Sequence, residues 1–260
     1  MKKTRKMIIS FSLLVCLSAL SDATETQADT KKAETKGSVS FERNDNQEGG
    51  NPTEPGGTDP LNPQDPGGNT NGALRIEYVP NIQFGTQKIS LEDKLYNSKW
   101  NLGKLSEAKS RIIPHMIQVT DERGSTEDFK VTVTGTTFKD AEGGNELKNT
   151  RLQFTGQTLI NSNEAVATDI LTGFQFDPEH KVVINDKESV VISTLADKTA
   201  DGSKSYNVFS NNYEHEAFFG NQTTLPKDNE GIQLFSPGTD VKKDSVAYEA
   251  TLTWTLGSEL

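Results

Sequence analysis

The chain has one cysteine, Cys16, and it falls within the first twenty residues. The remainder can form no disulfide and no thiolate metal site. An exported domain of that kind is stabilised by its core alone, and the roughly 190 residues at the C-terminal end are enough to build one. Histidine is nearly as scarce. His115, His180 and His215 are widely spaced and form no His-Glu-x-x-His pattern. There is no Gly-x-Ser-x-Gly elbow and no phosphate loop. Asp45, Glu48, Asp228 and Glu230 lack calcium-loop spacing. No cofactor, metal or catalytic residue is therefore expected. The densest ionisable cluster, Tyr213-Glu214-His215-Glu216, reads as a solvated hairpin edge. Paired carboxylates for glycan hydrolysis stay open as an alternative, because acids are abundant. Positive charge is in deficit: 27 Lys and Arg against 37 Asp and Glu give a formal net charge of −10. That argues against a nucleic-acid partner. It equally disfavours attraction to an anionic bilayer or polyanionic wall polymer.

Long hydrophobic runs are also missing. The apolar stretch Met7 to Leu20 covers about fourteen residues, short of the roughly 18–20 that span a bilayer. Lys2, Lys3, Arg5 and Lys6 precede it, and Ser21-Asp22-Ala23 follows. This is the pattern of a secretory signal peptide over residues 1–23, with cleavage after Ala28 as the second choice and a membrane anchor as the alternative reading. Val15 is too bulky for the position before a lipidated cysteine. Stable membrane insertion is not expected. Cleavage after Ala23 removes four basic residues and one acidic one, leaving a net charge of −13.

Composition then divides the chain. Residues 24–36 are polar and read as disordered. Residues 37–43 can form one short strand, with Val39 and Phe41 on one face. Residues 44–72, where Pro52, Pro55, Pro60, Pro63 and Pro66 alternate with glycine pairs, read as a linker or long surface loop. A β domain is expected over 73–260. Leu74, Ile76 and Tyr78 alternate with polar residues, as do Ile117 and Val119, and Phe129, Val131 and Val133. Further candidate strands are 151–155, 170–176, 181–184, 190–195 and 232–235. The longest alternation runs from Val246 to Leu256. Only 92–110 looks helical. Many short strands with Gly, Asn and Asp between them imply an all-β fold: an antiparallel β-sandwich, Ig-like in general architecture, with at most one or two short helices.

Four ordered segments carry a family resemblance. The first is Leu74-Arg75-Ile76-Glu77-Tyr78-Val79-Pro80-Asn81-Ile82-Gln83-Phe84-Gly85. The second is Ile117-Gln118-Val119-Thr120-Asp121-Glu122-Arg123-Gly124, followed by Pro237-Gly238 and by Tyr248 to Leu256, which closes on Trp254-Thr255-Leu256. Over residues 37–260 the chain resembles the WxL domain of cell-surface proteins of low-GC Gram-positive bacteria. The family carries a further Trp-x-Leu after the Asp-x-Arg-Gly segment; here that place reads Phe129-Lys130-Val131. Trp100-Asn101-Leu102 spells the motif but sits in the helix-like stretch, and reads as a coincidence.

The resemblance implies a secreted, non-enzymatic protein at the cell surface, attached without covalent linkage to the peptidoglycan of the wall. The sequence shows no Leu-Pro-x-Thr-Gly sorting signal and no hydrophobic tail, so non-covalent attachment is the expectation. A sheet-edge groove with amide and hydroxyl donors and an aromatic ring could grip glycan or stem peptide. Two rivals remain: a subunit of a complex of exported surface proteins, docking through an edge strand, and a wall glycan hydrolase. The candidate wall-binding residues are Trp254, Leu256, Tyr248, Phe129, Val131, Asp121 and Arg123. Each has a plain structural alternative. Trp254, Leu256, Phe129 and Val131 lie on apolar faces and suit a core. Asp121 and Arg123 flank Gly124 and suit a local ion pair at a turn.

Overall fold

The computed structural model describes residues 32–106, 109–125, 127–163, 170–194, 202–220 and 222–258. The expected signal peptide and the first part of the polar segment after it lie outside those residues. The chain divides into two compact units, Met1–Phe41 and Glu42–Leu260. In the first unit, residues 32–41 carry neither helix nor strand. The strand expected over 37–43 does not form: Val39 and Phe41 are 76% and 88% exposed, and an unpaired strand with no buried face has nothing to hold it.

The second unit is built from antiparallel strands. A first sheet joins β1 (Leu74–Tyr78), β5 (Met116–Asp121), β14 (Ser203–Val208) and β10 (Thr158–Asn161) in that order. A second joins β11 (Leu171–Gly173), β13 (Ser189–Thr194), β6 (Lys130–Gly135) and β16 (Leu252–Gly257). A third joins β12 (Val182–Val183), β9 (Arg151–Phe154), β15 (Asn229–Ser236) and β2 (Lys94–Ser98). Two hairpins, β3 (Asn101–Ser106) with β4 (Lys109–Ile113) and β7 (Phe138–Lys139) with β8 (Glu146–Leu147), complete the set among the described residues. Apolar residues from all three four-stranded sheets meet in one core. Ile76, Ile117 and Val119 come from the first, Val131, Val133 and Ile192 from the second, and Leu152, Phe154 and Ile232 from the third. This is the all-β sandwich that strand alternation predicts.

The helix-like stretch 92–110 contains β2, β3 and the start of β4 instead. Partners decide it. Leu95 and Tyr96 pair with Phe235 and Leu234 on β15, and tertiary pairing outweighs weak local propensity. Gly103 lets β3 close on its surroundings, since a Cβ there would sit 2.7 Å from the Leu61 carbonyl oxygen and 2.8 Å from Ile113 Cγ2. Among the described residues a short helix, α1 (His215–Phe219), falls where a hairpin edge was expected. Its single turn buries Phe218. Among the described residues no helix is long and apolar enough to cross a membrane.

The proline-rich segment 44–72 lies against the domain as part of its second unit and is no free spacer. The outer face of the first sheet carries Tyr78, Met116, Tyr206 and Val208, which form a second, smaller core with Ile113 and with Leu61 from the segment. Polar side chains on the same face hold the segment down. The Thr53 N–H donates to Gln118 Oε1 at 2.8 Å, and its hydroxyl meets the Tyr206 hydroxyl at 2.7 Å. The Asn51 N–H donates to Glu77 Oε1 at 3.0 Å. Backbone bonds Gly50 to Glu77, Gly68 to Val79 and Thr70 to Ile76 continue the contact.

Candidate functional site

Two motif segments far apart in sequence lie side by side. Phe129-Lys130-Val131 enters β6, and Trp254-Thr255-Leu256 forms the middle of β16. Leu256 pairs with Val131 and Trp254 with Val133. Phe129 and Val131 are 1% and 0% exposed. Trp254 and Leu256 are half-buried and pack on the main core, while Thr253, Thr255 and Gly257 face solvent. The difference follows from position: β6 has neighbours on both sides, and β16 is the sheet edge. β16 is shorter than the Val246–Leu256 run. Before Leu252 the pairing thins to a bridge between Lys139 and Glu249 and bonds between Thr136 and Thr251. The alternation of faces persists through this stretch, so Tyr248 stays half-buried. Its hydroxyl accepts a hydrogen bond from the Lys243 N–H at 3.0 Å.

Asp121 and Arg123 form a two-pronged ion pair. Arg123 Nε donates to Asp121 Oδ1 at 3.0 Å and Nη2 to Oδ2 at 2.8 Å. Their side chains are 1% and 6% exposed. The guanidinium also donates to the Glu127 carboxylate and to the backbone carbonyls of Glu127 and Asp128. Gly124 takes a positive φ of 68°, which glycine accepts without strain. Together these fix the β5–β6 turn, which feeds Phe129 into the core. The pair is occupied within the protein.

Behind Trp254 runs a chain of rings. Trp254 stacks on Phe209 with centroids 6.1 Å apart. Phe209 packs on Phe154 at 4.6 Å and on Phe174 at 5.9 Å. Phe174 reaches Phe176 at 6.3 Å, and Phe176 lies against the His180 ring at 4.8 Å. The chain ends on the wall of an open cleft of about 590 Å³. Thr155, Gly156 and Gln157 line one side, Phe176, Glu179 and His180 another, and Asn211, Glu230 and Gln233 close it. These residues come from four separate stretches of chain, each with ordinary polar composition. No spacing in the sequence announces them.

Trp100 occupies a different environment. It lies between β2 and β3, and no β6 or β16 residue pairs with either strand. Its indole N–H donates to the Pro226 carbonyl at 2.9 Å, and its ring meets Phe218 edge-on at 5.3 Å and His115 at 6.1 Å. His115 is fully buried, and burial pushes its pKa down to about 3, so the ring is neutral at physiological pH. Its Nδ1 faces the Asn229 amide at 3.3 Å. Among the described residues no group of three His, Cys, Asp or Glu is placed to hold a metal.

Comparison with known families decides what the paired motif strands belong to. The family model for the WxL domain, described as surface cell wall-binding, matches residues 28–259. The chain belongs to the WxL family. It is accordingly a cell-surface protein of the wall-binding type. Comparison with curated proteins and with solved structures gives no match. Within this WxL protein Phe129 and Val131, which stand where the resemblance places a first Trp-x-Leu, are an aromatic and an aliphatic residue buried in the core.

Proposed function

We propose that the protein is a secreted, non-enzymatic surface protein that attaches without covalent linkage to the peptidoglycan of a Gram-positive wall through this domain. The single observation that carries the reading is the match to a wall-binding family over almost the whole chain. The paired motif strands support it: they explain why two distant segments form one unit. The net negative charge makes long-range attraction to polyanionic wall polymers unfavourable, so binding rests on short-range contacts. Purified protein incubated with washed sacculi should pellet with them. Raising salt from about 50 to 300 mM should leave binding unchanged or slightly stronger, since screening removes repulsion. Removing the anionic wall polymers should do the same. Steep loss of binding with salt would overturn the short-range reading. Release of reducing ends would point instead to the hydrolase.

A second reading has one specific observation in its favour. Leu91, just before β2, is 91% exposed, and Leu95 is exposed on β2 itself, the edge strand of the third sheet. An apolar edge of that kind suits a protein partner. Capture of an exported protein, lost on Leu91→Glu with sacculus binding intact, would establish this second role.

A further inference from the structure

The cleft at the end of the aromatic chain has the makings of a binding site separate from the motif strands. Its walls are held rigidly. In the turn between β11 and β12, Asp177 Oδ1 accepts the N–H groups of Glu179 and Lys181, each at 3.0 Å, and the His180 N–H donates to the Asp177 carbonyl at 2.9 Å. Gln157 is clamped to Phe174 from both ends, accepting its N–H at 2.7 Å and donating to its carbonyl at 2.9 Å. The floor depends on two glycines. A Cβ at Gly156 would lie 2.1 Å from Asn211 Oδ1, and one at Gly231 would lie 2.7 Å from the Phe209 carbonyl oxygen. Both positions let the chain after β14 come down onto β9 and β15.

Most polar groups in the cleft are committed to the fold. The Thr155 hydroxyl donates to the Glu230 carbonyl, and Gln233 bonds to Gln153 and Asn97. Two groups are not. The Asn211 carboxamide and the Glu230 carboxylate are exposed and make no side-chain hydrogen bond to a described residue. Beside them stand the half-buried ring of Phe176 and the exposed ring of His180. No lysine or arginine is among the lining residues; of the two carboxylates that are, Glu179 is paired with Lys181 and Glu230 keeps its charge uncompensated by any ion pair to a described residue. A phosphate or carboxylate ligand would therefore be repelled. The set suits a neutral ligand with an apolar ring face, hydroxyl donors and an amide: an N-acetylated amino sugar. The volume lies in the range of roughly 300–1,000 Å³ typical of small-ligand clefts, so a short oligosaccharide fits better than one ion.

We propose that this cleft grips the N-acetylated glycan of the wall, with Phe176 and His180 as the stacking platform and Asn211 and Glu230 as the hydrogen-bonding groups. The inference rests on the wall-attachment reading and names the part of the wall that is held. It moves the contact away from Trp254, which supports the platform from behind.

The test pairs two measurements on the full mature chain. One is titration with a soluble N-acetylglucosamine oligosaccharide, followed by NMR or calorimetry. The other is sacculus pelleting. Phe176→Ala and Asn211→Ala should each weaken both by about tenfold, as truncation of a contact residue does; the exposed Asn211→Ala should do so with melting temperature unchanged, which separates lost contact from any stability lost with the core-packed Phe176 ring. Glu230→Gln, which keeps shape and hydrogen bonding, should lose less. If the oligosaccharide binds wild type and not the variants while wild type fails to pellet, the cleft stands and wall attachment falls. If wild type pellets and the variants pellet equally, the cleft proposal is wrong and attachment stands. Titration by a lysine-containing stem peptide and not by the sugar would also overturn it.

Discussion

The two faces of the first sheet are built on different principles. Its inner face presents Ile76, Ile117 and Val119 to the main core, and stability there comes from apolar area removed from water. Its outer face mixes Tyr78, Met116 and Tyr206 with buried Arg75, Glu77, Gln118 and Thr120. That face is closed by a proline- and glycine-rich segment that contributes hydrogen bonds and one aliphatic side chain, Leu61. An apolar face needs only patterning, whereas a polar face needs each buried group matched to a partner. The segment 44–72 supplies the partner of Gln118 Oε1, the Thr53 N–H, and adds the Asn51 N–H to a Glu77 carboxylate that Arg75 and Thr120 already hold; without the segment Gln118 Oε1 would be left unpaired.

The sharpest way to break this contrast is to cut each side once. Phe129→Ala empties a fully buried site in the main core and should cost about 3–5 kcal/mol, read from denaturant melts. Leu61→Ala removes the one aliphatic anchor of the covering segment. It should cost about 2 kcal/mol, at the low end of the cavity range, because a surface segment can settle into the gap. The outer face should also respond locally: proteolysis of the segment should quicken more than global melting shifts. If Leu61→Ala costs as much as Phe129→Ala, the segment belongs to the cooperative core and the contrast fails.

How far the sequence shows this arrangement follows the same divide. Strands with an apolar inner face, such as β5, β6, β9 and β13, are visible from alternation alone. So is the facing of β16, though not its length. β14 is not visible. Ser203, Ser205 and Asn207 are buried on it because Asn161 bonds both serines and Asn207 bonds the Val191 carbonyl at 2.6 Å. Hydroxyls and amides take the place of the apolar residues that periodicity detects. The segment 44–72 is hidden for a related reason: its composition matches a linker, and only its partners fix it. The alignment of the two motif strands appears only in the fold; of the candidate site, the Asp121–Arg123 ion pair follows from the sequence. The cleft residues do not, since four stretches of chain supply them.

Acid offers a gentler probe that reaches a buried polar group without a mutation. His115 is neutral in the folded protein, with its pKa held down to about 3 by burial, against an ordinary value near 6.5. Below pH 6.5 the unfolded chain takes up a proton that the folded one refuses, so stability is full above that pH and falls towards pH 3. Between pH 6.5 and 5 the loss should be about 1–2 kcal/mol. His115→Gln should flatten the slope in that window while leaving the main core untouched. An unchanged slope would mean that His115 is protonated within the fold.

The smallest expected effect tests the hydrogen-bonding side alone. Tyr206 is buried on the outer face, and burial pushes its hydroxyl up to about 12 despite the bond from Thr53. Tyr206→Phe keeps the ring and its packing against Met116 and Val208, and removes only the 2.7 Å contact with the Thr53 hydroxyl. Thr53 still has the Lys204 ammonium at 3.4 Å and the Gln118 contact through its N–H. The net cost should therefore be about 1 kcal/mol, the usual worth of one buried neutral hydrogen bond. Amide exchange at Thr53 should rise by more than that global loss explains, because the covering segment loses a tether while the sheet does not. If exchange at Thr53 and in β5 rises equally, the outer layer opens only with the whole domain, and the two faces act as one.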